Sequence, residues 1–180
     1  LQMVKAMASR ASRTQDPASF YRTLEGRIDA LGRANALLGF TPVNSGPLSS
    51  LVATALAPFP ENVTFGGEDC RIRGDTGVNL AMLLHELGTN AAKYGALSRD
   101  GGRVRLTWSV SGDEARLDWR EEGGPPVSPP QRQGLGTRLL TGSIRLARVS
   151  LAFDPAGVCC SIVIPCEKAQ GPSGASSPRD

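Results

Sequence analysis

Residues 75–95 carry two different stripes at helical spacing, and this narrows the possible folds more than any other feature of the chain. At about 100° per residue, Leu80, Leu84, Leu87 and Ala91 fall on one face. Glu86, Asn90 and Lys93 fall in a narrow sector beside it. The apolar stripe has to enter a core. The polar stripe sets a carboxylate, a carboxamide and an ammonium in a row. The spacing predicts a helix that opens at Asp75 or Thr76 and ends near Gly95.

The cover for that helix is legible downstream. Apolar residues alternate in 103–110 and again in 115–119, with a hairpin turn at Ser111-Gly112-Asp113. Two more strands are expected at 149–153 and 158–164, joined by Asp154-Pro155-Ala156-Gly157. Shorter strands are expected at 62–66 and 69–73, turning at Gly66-Gly67. An amphipathic helix at 48–57 is stopped by Pro58 and Pro60. The class is therefore α+β, a sandwich of helices on an antiparallel sheet.

A helical hairpin precedes it. Residues 1–13 have helical spacing, Thr14-Gln15-Asp16-Pro17 breaks it, and a second helix runs to about Leu38. Its stripe of Phe20, Leu24, Ile28, Leu31 and Leu38 is long for so small a unit. A second hairpin from another copy would cover it as a four-helix bundle. The organisation expected is a hairpin at 1–40, a linker at 41–47, a sandwich domain at 48–166 and a disordered tail at 167–180.

Composition excludes several classes. Of 180 residues, 40% are hydrophobic and 21% charged, so wholesale disorder is excluded. A net charge of +3 is too mild for a nucleic-acid binder. No apolar run approaches the roughly 20 residues of a membrane span, and no secretory leader is visible. Cys70, Cys159, Cys160 and Cys166 show no CxxC pair or zinc spacing, as expected of reduced thiols in the cytoplasm. Cys159 and Cys160 should divide into one exposed and one core thiol, since strand neighbours face opposite ways. The single histidine, His85, excludes any mechanism that needs two from this chain.

Three clusters carry chemistry. The first is the Glu86, Asn90, Lys93 row: two hard oxygen donors suited to Mg²⁺, and an ammonium suited to a phosphate oxygen. The second is Trp119-Arg120-Glu121-Glu122-Gly123-Gly124-Pro125, where a strand runs into an acid and a glycine pair. The third is Gln133-Gly134-Leu135-Gly136-Thr137-Arg138, two glycines at an expected helix start, where free N–H groups can cradle phosphate. Each cluster alone is also compatible with an ordinary surface, turn or helix start. Their order is more specific than any one of them.

That order is similar to the Bergerat ATP-binding fold. Within it the chain closely resembles the HWE-type sensor histidine kinases over about residues 1–165. The resemblance rests on HELGTNAAKYGAL at 85–97, WREEGGPPV at 119–127, GLGTRLL at 134–140 and DPASFYRTLEGRIDALGRANALL at 16–38. His85, Trp119 and Glu121 stand at the positions that name the type. The resemblance implies ATP and Mg²⁺ as cofactors, with Asn90 and Glu86 at the metal and Glu86, Asn90 and His85 at the catalytic centre. It implies ATP contacts from Asn90, Lys93, Tyr94, Glu121, Gly123, Gly134, Gly136 and Thr137. Glu121 would take the place of the Asp that accepts the adenine amino group. His85 lies to one side of the Glu86 and Asn90 stripe. Gly123-Gly124-Pro125-Pro126 replaces the spaced DxGxG of other members, and the short 122–133 segment leaves little room for a long lid.

The implied activity is transfer of the ATP γ-phosphoryl group to a histidine, for relay to an aspartate of a response regulator. The implied assembly is a homodimer through residues 1–40. The family's acceptor histidine would lie just before Leu1, so these residues are expected to bind ATP without labelling themselves at the usual site. Two other readings stay open. One is a non-catalytic phosphotransfer or scaffold protein with a vestigial ATP domain. The other is a Bergerat-fold anti-sigma binding protein, against which the hairpin argues.

Overall fold

A computed structural model describes residues 25, 26, 28–33, 36, 45–59, 62–127 and 148–168. The expected helix at 1–13, the turn at 14–17, the second glycine motif with Gly134, Gly136 and Thr137, and the helix after it lie outside the described residues. So does the tail beyond 168.

The described chain runs β1 (Ser45–Pro47), α1 (Leu48–Leu56), β2 (Val63–Gly67), β3 (Cys70–Arg73) and α2 (Gly74–Lys93). A 3-10 turn (Ala96–Ser98) follows, then β4 (Arg103–Ser111), β5 (Glu114–Glu122), β6 (Arg148–Asp154), β7 (Gly157–Pro165) and β8 (Glu167–Lys168). Five strands form one sheet in the order β2-β4-β5-β7-β6. β2 is parallel to β4, and the other neighbours are antiparallel. β1, β3 and β8 form a small second sheet. The α+β class expected from the sequence is the one observed.

The core lies between the helices and one face of the large sheet. Leu48, Leu51, Val52 and Ala55 of α1 and Leu80, Leu84, Leu87 and Ala91 of α2 are buried against it. The sheet supplies Val104, Leu106, Ala115, Leu117, Trp119, Cys160, Ile162 and Ile164, all nearly inaccessible. These are alternate residues of β4, β5 and β7, because the pleat sends every second side chain inward. Cys160 is in the core and Cys159 lies on the opposite face, as expected of the vicinal pair, but half-buried rather than exposed.

The helix ends follow local chemistry. α1 has no side-chain cap of its own. The Ser49 N–H instead donates to Oδ1 of Asp69, 3.2 Å away in the β2–β3 connection. Pro58 follows two residues after the helix and cannot extend it. α2 begins at Gly74, with Asp75 in its first turn, where a negative charge complements the helix dipole. At its other end the Tyr94 N–H donates to the Asn90 carbonyl at 2.8 Å.

Three expectations are corrected. Gly66 and Gly67 are not a turn. They extend β2 and pair with Thr107 and Trp108 of β4. At Gly67 an added Cβ would lie 2.2 Å from the Trp108 carbonyl oxygen, so the strand needs glycine to pass the indole. The chain turns at Glu68 and Asp69, whose first carbonyl accepts the Trp108 indole N–H at 2.7 Å. Residues 45–47 are strand β1 rather than linker, paired antiparallel with β3. Glu167 and Lys168 are strand β8 rather than disordered tail, paired with Arg71 and Cys70. Both are very short edge strands that complete their hydrogen bonds on β3, a partner that composition cannot reveal.

Candidate functional site

The polar row on α2 is graded rather than uniformly presented. Glu86 is buried at 6% exposure, whereas Asn90 and Lys93, one and two turns on, are exposed. Tyr94, next to them, is 71% exposed. A helical wheel gives the common direction of these side chains. It does not give the depth of the neighbouring surface, which falls away toward the helix C-terminus.

Beyond Tyr94 the backbone turns back on itself. The Gly95 N–H is shared between the carbonyls of Asn90 and Ala91, each at 3.1 Å. The next N–H, of Ala96, donates to Oε2 of Glu121 at 2.8 Å. Glu121 lies on β5 at only 3% exposure. Its other oxygen accepts the Trp119 indole N–H at 3.3 Å. Burial pushes the Glu121 carboxyl above its ordinary range, partly offset by the hydrogen bonds from Ala96 and Trp119.

The glycines around this carboxylate are packed backbone to backbone. A Cβ on Gly95 would lie 2.0 Å from the Glu121 Oε2, and one on Gly124 would lie 2.7 Å from the Ala96 Cα. A Cβ on Gly102 would lie 1.8 Å from the Ala96 carbonyl oxygen. Gly123 has φ +75°, a left-handed turn that suits glycine. The loop after β5 is thereby pressed against the C-terminal end of α2. The helix end that carries Asn90 and Lys93 and the second sequence cluster, 119–125, thus meet at one place, through Gly95 and Ala96. Gly134, Gly136 and Thr137 of the third lie outside the described residues.

His85 faces elsewhere. It is 8% exposed and packs its ring on Phe59, with centroids 5.5 Å apart. A Cβ on Gly26 would lie 3.1 Å from its Nε2, so the N-terminal helical segment reaches α2 at this residue. Phe59 also fills the space beside Gly88, where a Cβ would lie 2.4 Å from its ring. His85 therefore sits at a packing junction of three chain segments. Sequence reasoning missed Gly95, Ala96 and Gly102. Their only signal was small residues directly after a polar helix end.

Among the described residues, no cluster of three or more His, Cys, Asp or Glu side chains is arranged to hold a metal. The oxygen donors on α2 are instead the exposed Asn90 carboxamide and, one turn back, the buried Glu86 carboxylate. They match a hard cation that keeps most of its coordination for water and phosphate oxygens, as Mg²⁺ does. No described helix is long and apolar enough to cross a membrane.

The comparisons with known proteins agree with this fold. Residues 1–76 match the family model of the HWE histidine kinases. A blue-light-activated histidine kinase of Brucella anthropi is 35% identical over 178 residues, which cover 91% of this chain and 36% of that protein. The chain thus spans about a third of the length of this curated relative. Among solved structures, the histidine kinase domain of the Erythrobacter litoralis EL346 blue-light activated histidine kinase shares the fold. Its TM-score is 0.61 at 20% identity, covering 91% of this chain and 81% of that one. Histidine kinase ThkA, solved in complex with the response regulator protein TrrA, has a TM-score of 0.52 at 16% identity, over 91% of this chain and 55% of that one. By the family-model match over residues 1–76 and the relatives that align with most of its length, the chain belongs to the HWE histidine kinases.

Proposed function

We propose that this chain binds Mg-ATP at the C-terminal end of α2 and serves the phosphoryl-transfer step of a sensor histidine kinase. The γ-phosphoryl group goes to a histidine and from there to a response-regulator aspartate, in the cytoplasm. The observation that carries the reading is the 2.8 Å hydrogen bond from the Ala96 N–H to Glu121. It joins the Asn90 and Lys93 turn to the glycine loop after β5, so that the two motif blocks form one wall.

In this reading Asn90 offers its carboxamide oxygen to Mg²⁺, and Glu86, one turn deeper, orients groups around it. Bound there, the cation would neutralise charge on the transferring phosphate. Lys93 contacts a phosphate oxygen as a point charge, and the exposed Tyr94 flanks the nucleotide. Gly134, Gly136 and Thr137 of the second glycine motif, outside the described residues, are assigned to ATP by the family resemblance alone. Glu121 acts chiefly by position. Its carboxylate already accepts two hydrogen bonds from the protein, and it holds the wall against which the base rests. His85 likewise acts from beside the site, by fixing α2 against the N-terminal segment. A homodimer through residues 1–40 fits the hairpin stripe, in which Ile28 is 54% exposed.

The test is a calorimetric titration of this chain and of Asn90→Ala with ATP, with and without Mg²⁺. Expected is magnesium-dependent binding by the parent chain, lost in the variant, with unchanged thermal unfolding because Asn90 is exposed. Absence of binding by a folded parent chain would sink the proposal.

A further inference from the structure

The face of the large sheet that points away from the helices carries a second, unassigned feature. Strand register places its side chains in rows. One row runs Arg105, Arg120, Cys159 and Ala152 across β4, β5, β7 and β6. The next runs Thr107, Asp118, Ser161 and Ser150. Together they line a concavity of about 620 Å³.

Asp118 and Glu122 line the concavity beside Arg105 and Arg120, which act on Glu122 through space, but each of these carboxylates is held by a further arginine. The three carboxylates of the outer row of β5 are each engaged by an arginine. Glu122 pairs with Arg103 at 2.7 Å, Asp118 with Arg116 at 3.3 Å, and Glu114 with Arg148 at 2.8 Å. Among the described residues, Arg105 and Arg120 have no carboxylate within salt-bridge distance. They are direct cross-strand partners. Like charges so placed destabilise a sheet, because their Cβ atoms lie only about 5 Å apart. Two adjacent guanidinium forks are the complement of a dianionic, tetrahedral oxyanion. The hydroxyls of Thr107 and Ser161 stand one row along as further donors. The volume far exceeds one phosphate and lies in the range of small-molecule sites. Its far half is small and uncharged at Cys159 and Ala152.

We propose that this concavity binds a small phosphate monoester, its dianionic head between Arg105 and Arg120 and its organic body over Cys159 and Ala152. The site lies on the sheet face opposite α2 and is separate from the nucleotide site.

The test titrates the whole chain with phenyl phosphate at low salt, above the second phosphate pKa of about 6. Arginine Nε–H and backbone amide resonances report binding. Expected are saturable shifts at Arg105, Arg120, Cys159 and Ser161 that saturating Mg-ATP does not displace. Arg105→Gln and Arg120→Gln each weaken binding about tenfold, whereas Arg148→Gln, at the far end of the face, leaves it unchanged. Shifts that do not saturate, parent-like affinity in either variant, or displacement by Mg-ATP would each overturn the assignment. Inorganic phosphate binding as tightly as the ester would mean an adventitious ion only, and would overturn it too. A readout without mutation uses Cys159, since the other three thiols are buried. Bound ester slows its alkylation, and unaltered alkylation at saturating ester counts against the site.

Discussion

Glu121 and Glu122 are consecutive residues at the end of β5, and the pleat sends them to opposite faces of one sheet. Glu121 points inward at 3% exposure and is held by a backbone N–H and an indole N–H. Burial pushes its carboxyl up. Glu122 points outward and meets Arg103, whose guanidinium holds its carboxyl below the ordinary range. The same functional group is thus a structural pin on one side of the strand and a solvated ion-pair member on the other. The difference lies in solvent. Inside, every donor aimed at the carboxylate has lost water as an alternative partner, so each hydrogen bond is costly to remove. Outside, water and salt replace any partner cheaply.

That contrast orders the expected effects of mutation. The largest is Trp119→Ala. It removes the biggest fully buried side chain among the described residues and one donor to Glu121, and should cost about 3–5 kcal/mol by chemical denaturation. Gly95→Ala should come next, about 1–3 kcal/mol, because the new methyl must displace the Glu121 carboxylate or the Ala91 backbone. A thermal midpoint equal to that of the parent would show that Glu121 is not pinned as described.

Glu121→Gln keeps an acceptor for the Ala96 N–H and removes the charge, so its cost should be about 1 kcal/mol. Its sharper signature is in pH. A carboxyl raised in the folded state favours folding below its unfolded value near 4.5 and loses that contribution as pH climbs through the raised value. Stability of the parent chain should therefore fall over this interval relative to the variant, as measured by urea unfolding across pH. Glu122 has the opposite sign. Its contribution is present above the unfolded value and fades as pH falls through the lowered one. Arg103→Ala should produce the smallest effect of all, and one that added salt erases. A salt-resistant loss would mean the outer pair is not solvated, and would break the contrast.

Legibility in the sequence follows the same division. β4 was readable almost to its end and β5 over its central residues 115–119, because apolar residues alternate with polar ones along both. The stripe of α2 was readable for the same reason. Glu86 was not readable as buried, since periodicity gives its direction and not the depth of its neighbours. β1 and β8 were invisible. They are three and two residues long, and their pattern comes from pairing with β3, not from their own composition. Gly66-Gly67 read as a turn because glycine marks turns most often. Here it marks the passage of a strand past the Trp108 indole.

Within the site, Asn90, Lys93, Glu121 and the glycine pair were named from order and residue type alone. That Glu121 holds the Ala96 N–H was not, since the two residues are 25 apart and only the fold brings them together. By itself the sequence determined the class of fold, the inward residues of each long strand and the residue types available for chemistry. These depend on periodicity and side-chain identity, which are local. Tertiary structure alone decided which polar groups lose their water and which opposed arginines share a concavity. Burial and proximity belong to the assembled surface rather than to any stretch of chain.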